Sequence, residues 1–203
     1  MKKIICTAIL LSVVFLSLIS CGCGKNSTYE RGVLTEAGFE SVYMNLKFIP
    51  PQGMVLSTEE DMLEIMNIVT EAKDANKTAV DFAEMTTVYE MIAAAQIGFP
   101  SVSLMVEKLA LSSITTDQYS EALRKTLSGV STVNYIIGDK IIAVEIAGQK
   151  YKQLSASLPD LGVIQNYIFR KKGNRMISFV VTYTPSTEHE MRLMMNGFSK
   201  LKD

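Results

Sequence analysis

The sequence predicts an α+β domain in which an antiparallel sheet is flanked by helices as an α/β/α sandwich. Three observations lead there. Residues 140–184 follow a two-residue hydrophobic period, interrupted by glycine turns at Gly148 and Gly173, as half-buried strands joined by tight hairpins require. Apolar residues at helical spacing lie on either side, at Met62, Ile65, Met66 and Val69 and at Met191, Met194, Met195 and Phe198. The element order is also telling: strands and a helix, a middle helix, a four-strand meander and a closing helix. That order places antiparallel strands under helices.

The elements follow in turn. Met1, Lys2 and Lys3 precede an uncharged apolar run, Ile4 to Ile19, the layout of a secretory signal. The run is short for a stable membrane-spanning helix, which needs about 20 apolar residues. It ends in Leu18-Ile19-Ser20-Cys21, with an aliphatic residue three before the cysteine and a small one just before it. This ending resembles the lipobox of bacterial lipoproteins. The resemblance implies diacylglyceryl transfer to the Cys21 thiol and cleavage after Ser20. A thiol is nucleophilic enough to accept the lipid, and a second acyl chain holds where one alone would leave.

The expected divisions are a signal over 1–20, a flexible tether over 21–31 and one domain over 32–203. The tether reading rests on the glycine and small polar residues of "GCGKNSTYERG". Cys23 reads as a free thiol, because a disulfide to Cys21 across one residue is badly strained. A Cys-x-Cys metal site would need more soft ligands than His189, the one histidine. Removing the signal leaves 18 of the 20 basic residues against 21 acidic, a net charge of −3. A nucleic-acid partner is not expected at that balance. With no cysteine beyond Cys23, the domain must be stabilised by packing.

Gly38 to Ile49 has strand character, broken by Pro50-Pro51-Gln52-Gly53 before a short extended "MVLS". Ser57-Thr58-Glu59-Glu60 reads as a capping box in which Glu60 reaches back, opening a helix over 58–74. The runs 88–95 and 102–109 flank Gly98-Phe99-Pro100 and read as a hairpin, although Met91 to Gln96 suits a helix equally. Thr116 to Leu127 is a second helix ending near Gly129. Two hairpins follow, turning at Gly148 and at Lys172-Gly173-Asn174. Ser186-Thr187 start the terminal helix.

The segments "NLKFIPPQGMVLST", "EIAGQKYKQL" and "YIFRKKGNRMISFVVTYTPSTEHEMRLMMNGFSKL" resemble surface lipoproteins with a PsbP-like domain. The similarity covers most of residues 38–203 in pattern. It implies the PsbP fold and a protein that binds or assembles rather than catalyses; no cofactor is expected. One departure is Met54, where such proteins often carry an aromatic after the early turn.

Each candidate for chemistry has a plainer explanation. His189 sits between Glu188 and Glu190 in a first helical turn, where consecutive side chains diverge and acids suit the helix dipole. Asp81, Glu84 and Glu90 are the carboxylates from which a surface hydrolase would draw an acid–base pair, the alternative functional reading. No nucleophile elbow or phosphate loop is present. The 12 methionines raise copper ligation, but their helical spacing fits adaptable core filler better. Arg170, Lys171, Lys172 and Arg175 bracket a turn and form a candidate contact for an anionic surface; a solvated turn that guards a sheet edge explains them too. The expectation is a non-catalytic binding or accessory lipoprotein, held at the extracytoplasmic face of a bacterial membrane through Cys21. A transporter's solute receptor, usually longer and two-lobed, fits less well.

Overall fold

The computed structural model describes residues 29–66 and 85–202. Its larger sheet has seven antiparallel strands: β4 (Met54–Leu56), β5 (Thr87–Ala95), β6 (Ser101–Lys108), β7 (Ile136–Ile146), β8 (Gln149–Leu158), β9 (Val163–Lys172) and β10 (Arg175–Tyr183). Their order across the sheet is β4-β5-β6-β10-β9-β8-β7. The expected hairpin at 88–109 and the four-strand meander are therefore both present. A smaller antiparallel sheet, ordered β1-β2-β3-β11, is built from β1 (Val33–Thr35), β2 (Gly38–Ser41), β3 (Leu46–Phe48) and β11 (Phe198–Ser199).

Both faces of the larger sheet are covered. On one, the smaller sheet and helix α3 (Glu188–Asn196) bury Phe39, Leu46, Phe48, Met194 and Phe198 against Val88, Leu104, Phe179 and Val181. On the other, α1 (Glu59–Ile65) and α2 (Thr116–Ser128) bury Met62, Tyr119, Leu123 and Leu127 against Met105, Phe169 and Val180. The chain is thus an α+β protein with two antiparallel sheets, and one outer layer of the sandwich is part sheet, part helix. Phe198 completes the expected stripe from β11 rather than from the helix.

Local chemistry sets the element ends. Gly38 opens β2 at φ +153°, and a Cβ there would lie 1.9 Å from the Phe48 carbonyl oxygen. No other residue fits without moving that strand. The β7–β8 turn is Ala147-Gly148, both left-handed at φ +51° and +70°, the twist that a two-residue hairpin needs. α2 starts at Thr116 as read, and the structure adds its cap, Thr115 with Gln118 reaching back.

Two readings need correction. The first capping box is Thr58 with Asp61 rather than Ser57 with Glu60. The Ser57 N–H is held by the Ile92 carbonyl at 2.9 Å, so the chain leaves the sheet one residue later. Helix α1 is described to Ile65, and residues 67–74 of the expected helix lie outside the described residues. The second correction concerns β10. Ile177, Phe179, Val181 and Tyr183 alternate as read, but all nine residues of β10 are buried. A central strand between two covered faces has no solvent side, so Ser178 and Thr182 point into the second core.

The hairpin turns sort the molecule into two ends. One end holds the turns 42–45, 147–148 and 173–174, together with Tyr29, where the described chain begins. The other holds the loops 36–37, 50–53, 96–100, 159–162 and 184–187. A nine-residue strand separates the ends by about 30 Å.

Candidate functional site

A cluster of buried polar side chains lies between the two sheets, at the end where the described chain begins. It starts from an irregularity in β5. Tyr89 pairs with Met105 of β6 and Met91 pairs with Leu104, so Glu90 is an extra residue without a partner in the register. Such a bulge re-aims the side chain it carries. Here it turns Glu90, 1% exposed, toward the smaller sheet.

Both carboxylate oxygens of Glu90 accept hydrogen bonds. The Tyr29 hydroxyl donates to Oε1 at 2.6 Å and the Gly32 N–H to Oε2 at 2.7 Å. Burial pushes the Glu90 carboxyl up from its ordinary range, against the opposing pull of Tyr29, Gly32, Arg31 and Arg175. Burial and the adjacent Glu90 likewise push the Tyr29 phenol far up, so it stays a donor. Arg175 stacks 4.1 Å from the centre of the Tyr29 ring, and Tyr29 meets Tyr43 edge-on with centroids 5.2 Å apart. Arg31 donates to the Tyr89 carbonyl at 2.8 and 3.1 Å and pairs with Glu59 of α1.

The chain just before β1 is therefore stitched to the central sheet. Tyr29 is 6% exposed, so the last positions of the expected tether, from Tyr29 on, pack against the domain. Composition missed this because a single aromatic among polar residues does not reveal its partner 61 positions away.

The four basic residues singled out from sequence are dispersed. Arg175 is buried beneath Tyr29. Arg170 stacks over the Tyr151 ring at 5.2 Å and donates to the Met44 carbonyl at 3.5 Å. Lys172 lies 4.7 Å from the Tyr43 ring centre and donates to the Tyr43 carbonyl, its amine pushed down by burial and by Arg170. Arg170 and Lys172 clamp the 42–45 turn to the larger sheet, and Gln149 adds bonds to the Met44 and Asn45 carbonyls at 3.1 and 3.3 Å. Lys171, one position out of phase, turns to the opposite face and reaches the Ser112 carbonyl. Edge protection does not explain them either, because β9 and β10 are interior strands.

A second buried carboxylate went unnoticed in the sequence. Glu107 on β6 faces the helical layer, where the Tyr119 hydroxyl donates to it at 2.9 Å and lies 3.4 Å from the Ser178 hydroxyl. Burial pushes the Glu107 carboxyl up to about 7, the Tyr119 hydrogen bond opposing that rise. An acid inside the apolar run "VSLMVEK" was the available signal.

Glu90 and Glu107 project to opposite faces of one sheet and cannot act as a pair. Asp81 and Glu84, the other candidates for a carboxylate pair with Glu90, lie outside the described residues, as does Cys21. His189 is exposed on α3. Met62 and Met194 are fully buried core residues, as core filler should be. Among the described residues no three His, Cys, Asp or Glu side chains are grouped to hold a metal ion. Among them, too, no helix is long and apolar enough to cross a membrane.

No protein-family model and no curated protein sequence matches the chain. Among solved structures it is similar to the solution structure of cyanobacterial PsbP from Synechocystis sp. PCC 6803. That similarity has 12% identity and a TM-score of 0.46, over 90% of this chain and 98% of the other. The α+β class follows from the strand order and layers described above.

Proposed function

We propose that this chain is a lipoprotein tethered through Cys21 to the extracytoplasmic face of a bacterial membrane, where it serves as a non-catalytic binding or accessory module. The observation that carries the non-catalytic reading is the engagement of its two buried carboxylates. Glu90 has both oxygens occupied by Tyr29 and Gly32 inside a sealed seam, and Glu107 lies beneath the helical layer bonded to Tyr119. A general acid or base must instead present its proton to substrate within hydrogen-bond reach. The tether reading is supported by the lipobox-like Leu18-Ile19-Ser20-Cys21 and by the packed Tyr29, which brings the domain to within eight residues of the anchor.

Metabolic labelling with a fatty acid tests the anchor. Label should enter the wild type and Cys23→Ser and be lost in Cys21→Ser; labelled Cys21→Ser protein would end the reading. Crosslinking in intact cells, followed by identification of what co-purifies, tests the accessory role. Recovery of the chain alone under conditions that capture other envelope proteins would count against it.

A further inference from the structure

We propose that the end of the domain where the chain enters is a docking face for an anionic lipid surface, which holds the opposite loops outward. This rests on the Cys21 tether above and adds a fixed orientation to it. The residues are largely not the basic cluster read from sequence, most of which is turned inward.

The charge is distributed by end. Lys171 and Lys172 lead into the 173–174 turn, and Lys150 follows the 147–148 turn. The C-terminal segment returns to the same place: Lys200 lies against Gly148, and the Lys202 backbone exchanges two hydrogen bonds with the Asn45 side chain, at 3.0 and 3.2 Å. Lys150, Lys200 and Lys202 are exposed. Exposed acids nearby include Glu30, Glu145 across from Lys150, Asp117, which is bound to Lys152, and Glu59, which is bound to Arg31. The five loops at the opposite end contain no lysine or arginine; they carry Glu36 and Asp160 and exposed apolar residues such as Ile97 and Leu161.

The path of the chain matches this polarity. Tyr29 stacks on Arg175, whose register partner is Lys172, so the tether joins the domain at its lysine-bearing end. Tyr29 lies eight positions beyond Cys21, a reach of at most about 29 Å. That is shorter than the domain itself, so a lipid at Cys21 keeps this end near the headgroups. A lysine near an anionic surface raises association roughly five-fold, and several acting with a short tether select one orientation.

Amine reactivity on the full chain tests this. The protein is purified from membranes and reconstituted into vesicles of zwitterionic lipid alone or with about a third anionic phospholipid. Acetylation at each lysine is then followed by mass spectrometry. In anionic vesicles Lys171, Lys200 and Lys202 should react several-fold more slowly than in zwitterionic ones, while Lys125 and Lys140 react equally in both. The protection should vanish near 1 M salt, where the screening length falls to about 3 Å. In a Lys150→Gln, Lys200→Gln, Lys202→Gln variant with unchanged thermal unfolding, Lys171 should react in anionic vesicles as fast as in zwitterionic ones. Equal reactivity of the wild type in both vesicles would overturn the proposal while leaving the tether intact. Failure to float with zwitterionic vesicles would instead remove the tether.

Discussion

The two faces of the central sheet each bury one glutamate, and they treat it differently. Glu90 lies between the sheets with a phenol and a backbone N–H on its two oxygens and with Arg31 and Arg175 close enough to favour its charge. Glu107 lies under α2 with Tyr119 as donor and with no cation among the influences on its charge. Burial raises both. On the first face the cations and donors offset part of that rise; on the second only Tyr119 does. Both acids therefore cost stability as pH rises, but Glu90 also fastens the chain before β1 to the sheet through Tyr29 and Gly32. Glu107 has a single phenol to offset its burial.

The comparison can be broken at four places. The largest effect is expected from Met194→Asp, which puts an unpaired carboxylate into the first face without the Glu90 partners. Met194 is fully buried, so the loss should exceed about 4 kcal/mol, beyond ordinary single substitutions. It should appear as insoluble expression or a collapsed melting transition. Tolerance would mean that the methionine stripe is a free surface.

Glu107→Gln should sharpen the contrast on the other face. The folded carboxyl binds protons more tightly than the unfolded one, about 7 against an ordinary 4.5. The folded state therefore holds more protons between those values, and wild-type stability falls as pH rises through that window. The cost is absent below 4.5 and reaches about 3 kcal/mol above 7. Glutamine cannot ionise, so the variant should gain that much at pH 8, gain little at pH 4, and lose the slope in between. Denaturant melts across pH 4–8 measure it, and an unchanged slope would refute the assignment to Glu107.

Tyr29→Phe comes third. It keeps the ring against Arg175 and Tyr43 but removes a donor from a buried carboxylate, at about 1–3 kcal/mol. Hydrogen exchange should quicken over β1 and β2 while the amides of α2 keep their protection. Uniform loss of protection would show that Tyr29 is not a local fastening. The smallest effect is expected at His189, exposed on α3: His189→Ala should stay within about 0.5 kcal/mol in thermal unfolding. Loss of an activity without loss of fold would revive an enzymatic role.

Much of the fold was legible because its signals are local. Glycine turns at Gly148 and Gly173, the helix over Thr116 to Leu127 and the two-residue period of β7 to β10 depend on neighbours a few positions apart. The capping box at 57–60 slipped by one because the Ser57 N–H is engaged by Ile92, far along the chain. β10 was read as half-buried because alternation marks one covered face and carries no record of a second. The seam was the least legible feature. Tyr29 had the composition of a linker, and Glu90 was one acid among several until a bulge in β5 turned it inward.

The sequence by itself determined the class of fold, the four-strand meander, the terminal helix and the expectation of a lipid at Cys21, since each rests on periodicity, turn chemistry or a short contiguous pattern. Only the tertiary structure decided that Arg170, Lys172 and Arg175 serve the interior, that Glu90 and Glu107 are held apart, and that the chain enters beside the exposed lysines. Those outcomes depend on which strands become neighbours. Contacts spanning 61 to 157 residues are selected by the global packing of two sheets, and no local pattern encodes them.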